Sequence, residues 1–112
     1  ACDAAGASPA ELASVFATTH GDLEITDYLC ATLLESPLQT SPTRFHNSVH
    51  NAAAGYWCIA TGCHSTYTTV SAADHTFGAG LLEALAQLAS REAPILFVAY
   101  DAGARGPLAG LV

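Results

Sequence analysis

Ser71, Asp74 and His75 are the one place where a nucleophile, an acid and a base fall within a single short stretch, SAADH. A hydroxyl attacks a carbonyl only when a base takes its proton and a third group orients that base, and these residue types can fill those roles. Closeness in sequence is a weak argument, because triads assemble across a fold and Asp74 serves equally well as a helix N-cap. His46 and His50, in FHNSVHN, have the i, i+4 spacing with which one helix face holds zinc. The glutamate of HExxH is missing and no third ligand announces itself, so packed or loop-bracing imidazoles are expected and no metal. His20 and His64 read as turn and loop residues. Cys2, Cys30, Cys58 and Cys63 make neither a disulfide framework nor CxxC half-sites. Four reduced thiols in a cytoplasmic protein are expected, with Cys30 and Cys58 on apolar faces. No GxSxG, GxGxxG or Walker A sequence occurs, so neither a hydrolase elbow nor a phosphate-cradling loop has support, and no cofactor is expected.

The elements that would position these residues alternate in type. A β-branched and aromatic run at 14–19 (SVFATT) predicts a buried strand. Asp22 caps a helix over 22–36 with acids in its first turn and an apolar stripe of Ile25, Tyr28, Leu29 and Leu33, closed by Pro37. A loop is expected over 37–42. Asn47 is a fair N-cap for a helix over 47–61, whose AAAG cluster suggests close approach of another backbone and burial on most of its circumference. YTTV at 67–70 is a strand by composition. It gives way to a helix over 74–90 with Phe77, Leu81, Leu85 and Leu88 at helical period and Leu82 alongside. The apolar run ILFVAY at 95–100 suits a strand covered on both faces. This is α/β order, with a parallel or mixed sheet.

Length and charge narrow the partners. A chain of 112 residues is one domain's worth, burying roughly 65% of its unfolded surface. With 51% hydrophobic and 12% charged residues it is too apolar for a disordered tail. Ten acids stand against three arginines and no lysine, so counterion displacement from nucleic acid and attraction to anionic membranes are both excluded. No run of 18 apolar residues is present. The opening ACDAAGASPAEL has no basic n-region or apolar h-region, so no signal peptide is expected. Residues 1–5 read as a last helical turn and GARGPLAGLV as an unfinished end, so the single domain 1–112 is expected to be a fragment of a longer chain.

The stretch 41–84, and FHNSVHNAAAGYW within it most of all, resembles the β-ketoacyl synthase-like N-terminal family. The upstream AAGASPAELASVFATTHGD and the strand at 95–100 fit the same half of a thiolase-like fold, so the resemblance covers nearly the whole chain. It implies a partial thiolase-like half-domain whose helix over 47–61 lies near a subunit interface and an acyl pocket. Phe45, Asn47, His50, Tyr56, Trp57, Tyr67 and Thr69 become pocket or interface candidates. It also implies that the strand 67–70 pairs across a dimer, homo- or hetero-, with 67–71 at its centre. The nucleophilic cysteine of a ketosynthase would fall at or near Ser71, yet residues 65–90 contain no cysteine. The family's two catalytic histidines belong to its second half, and His46 and His50 do not match them. The resemblance thus points to a non-catalytic, chain-length-factor-like subunit. Such a subunit would work with a ketosynthase, and with acyl carrier protein, in bacterial type II fatty-acid, polyketide or aryl polyene synthesis. The rival readings are an acyltransferase or hydrolase using Ser71, and a purely structural dimerisation module. Tyr56 and Trp57 are expected to bury against the sheet or a second subunit.

Overall fold

The computed structural model describes residues 1–101 and Gly103. The C-terminal stretch GARGPLAGLV therefore lies, apart from Gly103, outside the described residues. Three strands form a parallel sheet: β1 (Ala13–Ala17) in the middle, β2 (Tyr67–Val70) on one side and β3 (Ile95–Ala99) on the other. The registers pair Ser14 with Tyr67 and Ala13 with Ile95. Both pairings are parallel, which realises the α/β layering expected and requires a crossover between each pair of strands. Every residue of β1 is buried, Val15 completely (0% exposed). A strand enclosed on both faces has no reason to alternate, which is why ASVFA reads as a continuous run.

Helix α1 (Cys2–Ala5) is one turn, stopped by Gly6 in the left-handed conformation. Helix α2 (Leu23–Glu35) begins as expected: the Asp22 carboxylate accepts from the Glu24 and Ile25 amides at 3.0 and 3.3 Å. Ile25, Tyr28 and Leu29 are half-buried, whereas Leu33 is exposed.

The next segment departs from expectation. The stretch 37–42 holds a short 3₁₀ turn, Pro37–Gln39, and a one-turn helix α3 (Pro42–His46) follows. Ser41 caps α3 through its hydroxyl, and Pro42 suits the first helical position because its missing N–H would have no partner there. Arg44 of α3 then stacks over the Tyr28 ring at 4.2 Å. Asn47 accordingly ends α3 instead of capping a helix over 47–61; its N–H bonds the Thr43 carbonyl. Helix α4 (Ala52–Thr61) starts five residues later. Of its residues only Ala54 is buried, with Tyr56 51% and Ile59 78% exposed, so within this chain the burial expected around most of its circumference is not realised.

Helix α5 (Thr76–Arg91) crosses the sheet and carries the chain from β2 over β1 to β3. The face it lays on the strands is the small one. Thr76, Gly80 and Ala84 are buried, and a Cβ on Gly80 would stand 2.6 Å from Ala17 Cβ and 3.0 Å from Phe97. Phe77 meets Phe97 edge-to-face at 5.6 Å, yet it and the stripe Leu81, Leu82, Leu85 and Leu88 remain largely exposed, Leu82 at 70%. Among the described residues no helix is long and apolar enough to cross a membrane.

Candidate functional site

All three parallel strands end at the same rim, where open α/β sheets place their ligands. A cleft of about 520 Å³ opens there, floored by Ala17 and Ala99 and walled by His20, Asp74, Thr76, Phe77, Tyr100 and Asp101. Its best-built feature is Asp101, just past β3. The carboxylate accepts from Thr18 Oγ1 (2.9 Å) and from the Thr19 and His20 amides (2.9 and 3.3 Å), tying the end of β3 to the turn after β1. Burial works against its ionisation, but the hydrogen bonds from Thr18, His20 and Thr19 outweigh it and hold the carboxyl below its ordinary value. Thr18 Oγ1 also accepts from the Gly21 amide at 3.1 Å, and Gly21 turns with a positive φ of 66°. A Cβ at Gly21 would touch the His50 backbone at 3.4 Å, so this turn is packed directly beneath the chain entering α4. Burial first, and then the charges of Asp101 and Asp22, push the Tyr100 phenol up, against the hydrogen bond with Thr18.

The second wall is the turn from β2 into α5. It runs through a 3₁₀ stretch, Ala73–His75, and Ala73 has a φ of +46°, which costs a residue with a Cβ of order 1–3 kcal/mol. Ser71 Oγ donates to the Thr18 carbonyl at 2.5 Å, so its proton is committed to the backbone. Among the described residues no hydrogen bond links Ser71, Asp74 and His75, and only Asp74 of the three lines the cleft. Asp74 does not cap α5 either. No side chain caps the start of α5 among the described residues; the Thr76 hydroxyl instead braces the preceding turn, accepting from the Ala72 amide (2.9 Å) and donating to the Ala73 carbonyl (2.7 Å).

The other candidates divide among neighbouring hollows. Asn47 and Tyr56 line one of about 280 Å³, continuous in lining with the main cleft through Tyr100. The Tyr56 hydroxyl donates to Asn47 Oδ1 at 2.7 Å. His46, Tyr56 and Tyr67 line a further hollow of about 200 Å³. Phe45 and His50 are exposed, outside these three hollows. Trp57 is half-buried and shares a groove with the sheet residues Phe16 and Leu96 and with Cys2, while Tyr56 is exposed, so of the two rings expected to bury against the sheet or a second subunit only Trp57 lies against this chain's own sheet. Thr69 is half-buried, and its Oγ1 has no partner among the described residues. Among the described residues no three of His, Cys, Asp and Glu gather as a metal would need. Asp101 belongs to none of the motifs read from the sequence; it follows directly on the apolar run 95–100. The available signal was an acid immediately after an apolar strand, facing a Thr-Thr pair at the end of another.

A solved structure, "Ketosynthase (ApeO) in Complex with its Chain Length Factor (ApeC) from Xenorhabdus doucetiae", contains a similar chain with a TM-score of 0.83 and 30% sequence identity. The similarity covers 90% of the present chain and 42% of that one, so the chain spans less than half the length of the relative it matches. Among curated proteins none matches. The family model "Beta-ketoacyl synthase, N-terminal domain" matches residues 1–106, nearly the whole sequence. The parallel sheet, the strand-to-helix turn at its rim and this match agree: the chain belongs to the β-ketoacyl synthase N-terminal domain family.

Proposed function

We propose that this chain is a non-catalytic, chain-length-factor-like subunit that shapes or stabilises an active ketosynthase during acyl-chain elongation. The observation that carries the reading is the β2-to-α5 turn. In the family resemblance this turn presents a nucleophilic thiol, yet residues 65–90 contain no cysteine and Ser71 spends its hydroxyl proton on the Thr18 carbonyl. A serine held in that way, without a base on its oxygen, is a poor nucleophile at neutral pH. Asn47 and Tyr56 line the hollow that adjoins the main cleft through Tyr100, and in this reading they are the residues that would meet an acyl chain. The partner is a ketosynthase-like subunit, with acyl carrier protein delivering the chain, in fatty-acid, polyketide or aryl polyene synthesis of the bacterial type II kind.

Assembly would use the free side of β2. The Ser14 and Thr18 amides donate to the Thr66 and Val70 carbonyls, so in the alternation of a parallel ladder the Tyr67 and Thr69 amides point away from β1. This edge carries no charge, Pro or Gly to guard it against pairing. Reconstitution tests the reading. The full-length protein should not condense malonyl and acyl thioesters alone, and should change the product length or yield of a co-expressed ketosynthase. Condensation by the protein alone, or labelling of Ser71 by a serine-reactive acyl probe, would overturn it.

A further inference from the structure

The last turn of α4 closes in a Schellman motif. Gly62 takes a φ of +67°, its N–H reaches the Ile59 carbonyl (3.4 Å), and the Cys63 N–H folds back onto the Cys58 carbonyl (2.9 Å). This pattern sets the side chain just past the glycine against the one a turn before it, a contact that is ordinarily hydrophobic. Here both residues are cysteine, so the backbone of the motif sets the two side chains against each other. Cys63 is buried and its Sγ donates to the Leu12 carbonyl (3.2 Å), while Cys58 is half-buried and more accessible. The geometry points to a dithiol site at Cys58 and Cys63 that closes to an intrachain disulfide in exchange with a low-molecular-weight disulfide.

The Cys58 thiolate attacks one sulfur of the external disulfide, forming a mixed disulfide and releasing one thiol. The Cys63 thiolate then attacks Cys58 Sγ, forming the protein S–S bond and expelling the second thiol. Two protein S–H bonds and one external S–S bond are consumed; one protein S–S bond and two external S–H bonds form. The two electrons lost by the protein leave on the released thiols. Burial first, and then the neighbouring Cys63, push the Cys58 thiol up, so closure is slow at neutral pH and quickens with alkalinity. The bond would lock the end of α4 to the segment that leads into β2. Cys30, exposed on α2, supplies an internal control for simple adduct formation.

The test incubates the full-length protein with oxidised glutathione across a pH series, blocks remaining thiols with an alkylating agent, and maps peptides by mass. The peptide spanning 58–63 should lose two hydrogens and escape alkylation, with a rate rising about tenfold per pH unit below the thiol's pKa. Cys63→Ser should leave a persistent glutathione adduct on Cys58. A Cys2→Ser/Cys30→Ser variant should still form the bond, which keeps the test decisive should Cys63→Ser fail to fold. Alkylation of both Cys58 and Cys63 where Cys30 is already glutathionylated, or a stable adduct on Cys58 in the unsubstituted protein, would overturn the assignment.

Discussion

Gly80→Ala is the sharpest probe of how α5 sits on the sheet. The new Cβ would stand 2.6 Å from Ala17 Cβ, an atom fixed to the central strand's backbone that no rotamer change can remove. Restoring an ordinary carbon–carbon contact of roughly 3.6 Å requires the helix to lift by about 1 Å. Overpacking of this kind costs about 1–3 kcal/mol, and a rigid neighbour places it at the upper end. Alanine's helix propensity returns about 1 kcal/mol over glycine, leaving a net loss of about 2 kcal/mol. Gly78 provides the control, two residues away on the same helix with nothing within 4 Å of its would-be Cβ. Gly78→Ala keeps the propensity gain of up to about 1 kcal/mol without the clash. For a domain of this size roughly 4 °C of melting temperature corresponds to each kcal/mol, so the two variants should separate by about 12 °C. Thermal denaturation of the full-length protein followed by circular dichroism reads the difference. If Gly80→Ala melted at or above the unsubstituted protein, or if the two variants shifted together, the close seam between α5 and β1 would be refuted.

Asp22→Ala should cost about 1 kcal/mol in urea denaturation by removing the α2 cap. Asp101→Asn should cost about 1 kcal/mol, at the low end for a charged acceptor because the group is exposed. The folded-state pKa of Asp101 lies below its unfolded value, so its contribution is complete above the unfolded pKa and disappears as pH falls through the folded one; the acid limb of the stability profile should flatten in this variant. Trp57→Phe should be neutral within about 1 kcal/mol, because the indole N–H it deletes has no partner among the described residues, whereas Trp57→Ala should destabilise measurably; equal losses in melting experiments would contradict this. Thr69→Pro removes an amide directed away from β1 and should weaken association, read by light scattering, more than it lowers the melting temperature.

Which parts of the molecule were legible in the sequence follows from what local pattern encodes. The strand at 14–19 and the Asp22 cap announce themselves because burial on both faces and a capping carboxylate leave local signatures. In α5 the period of Phe77, Leu81, Leu85 and Leu88 defines a face, but periodicity does not say which face meets the sheet. The Gly80/Ala84 seam wins because small residues allow the closest approach to Ala17, leaving the leucines outward. Asn47 misled because a Ser41–Pro42 start competes with it and begins a helix five residues sooner. The Asp101–Thr18 clasp joins residues 83 apart, and no short window contains both partners. The cleft walls were half visible: Asp74 stood out as an acid beside a serine, but Tyr100 and Asp101 matter only once parallel strands end side by side.

The register of β1 sets an order on synthesis. Ala13 must find Ile95, 82 residues later, and Ser14 must find Tyr67, 53 residues later. At ribosomal rates of about 5–20 residues per second, the central strand emerges roughly 4–16 s before its second neighbour exists. For that interval the most buried strand of the finished sheet has an edge with nothing to pair with, and pairings this distant form slowly even once the chain is complete. The strand made first is the last to be enclosed, so yield in a host cell should respond to chaperone supply and growth temperature more steeply than the stability of the finished fold would suggest.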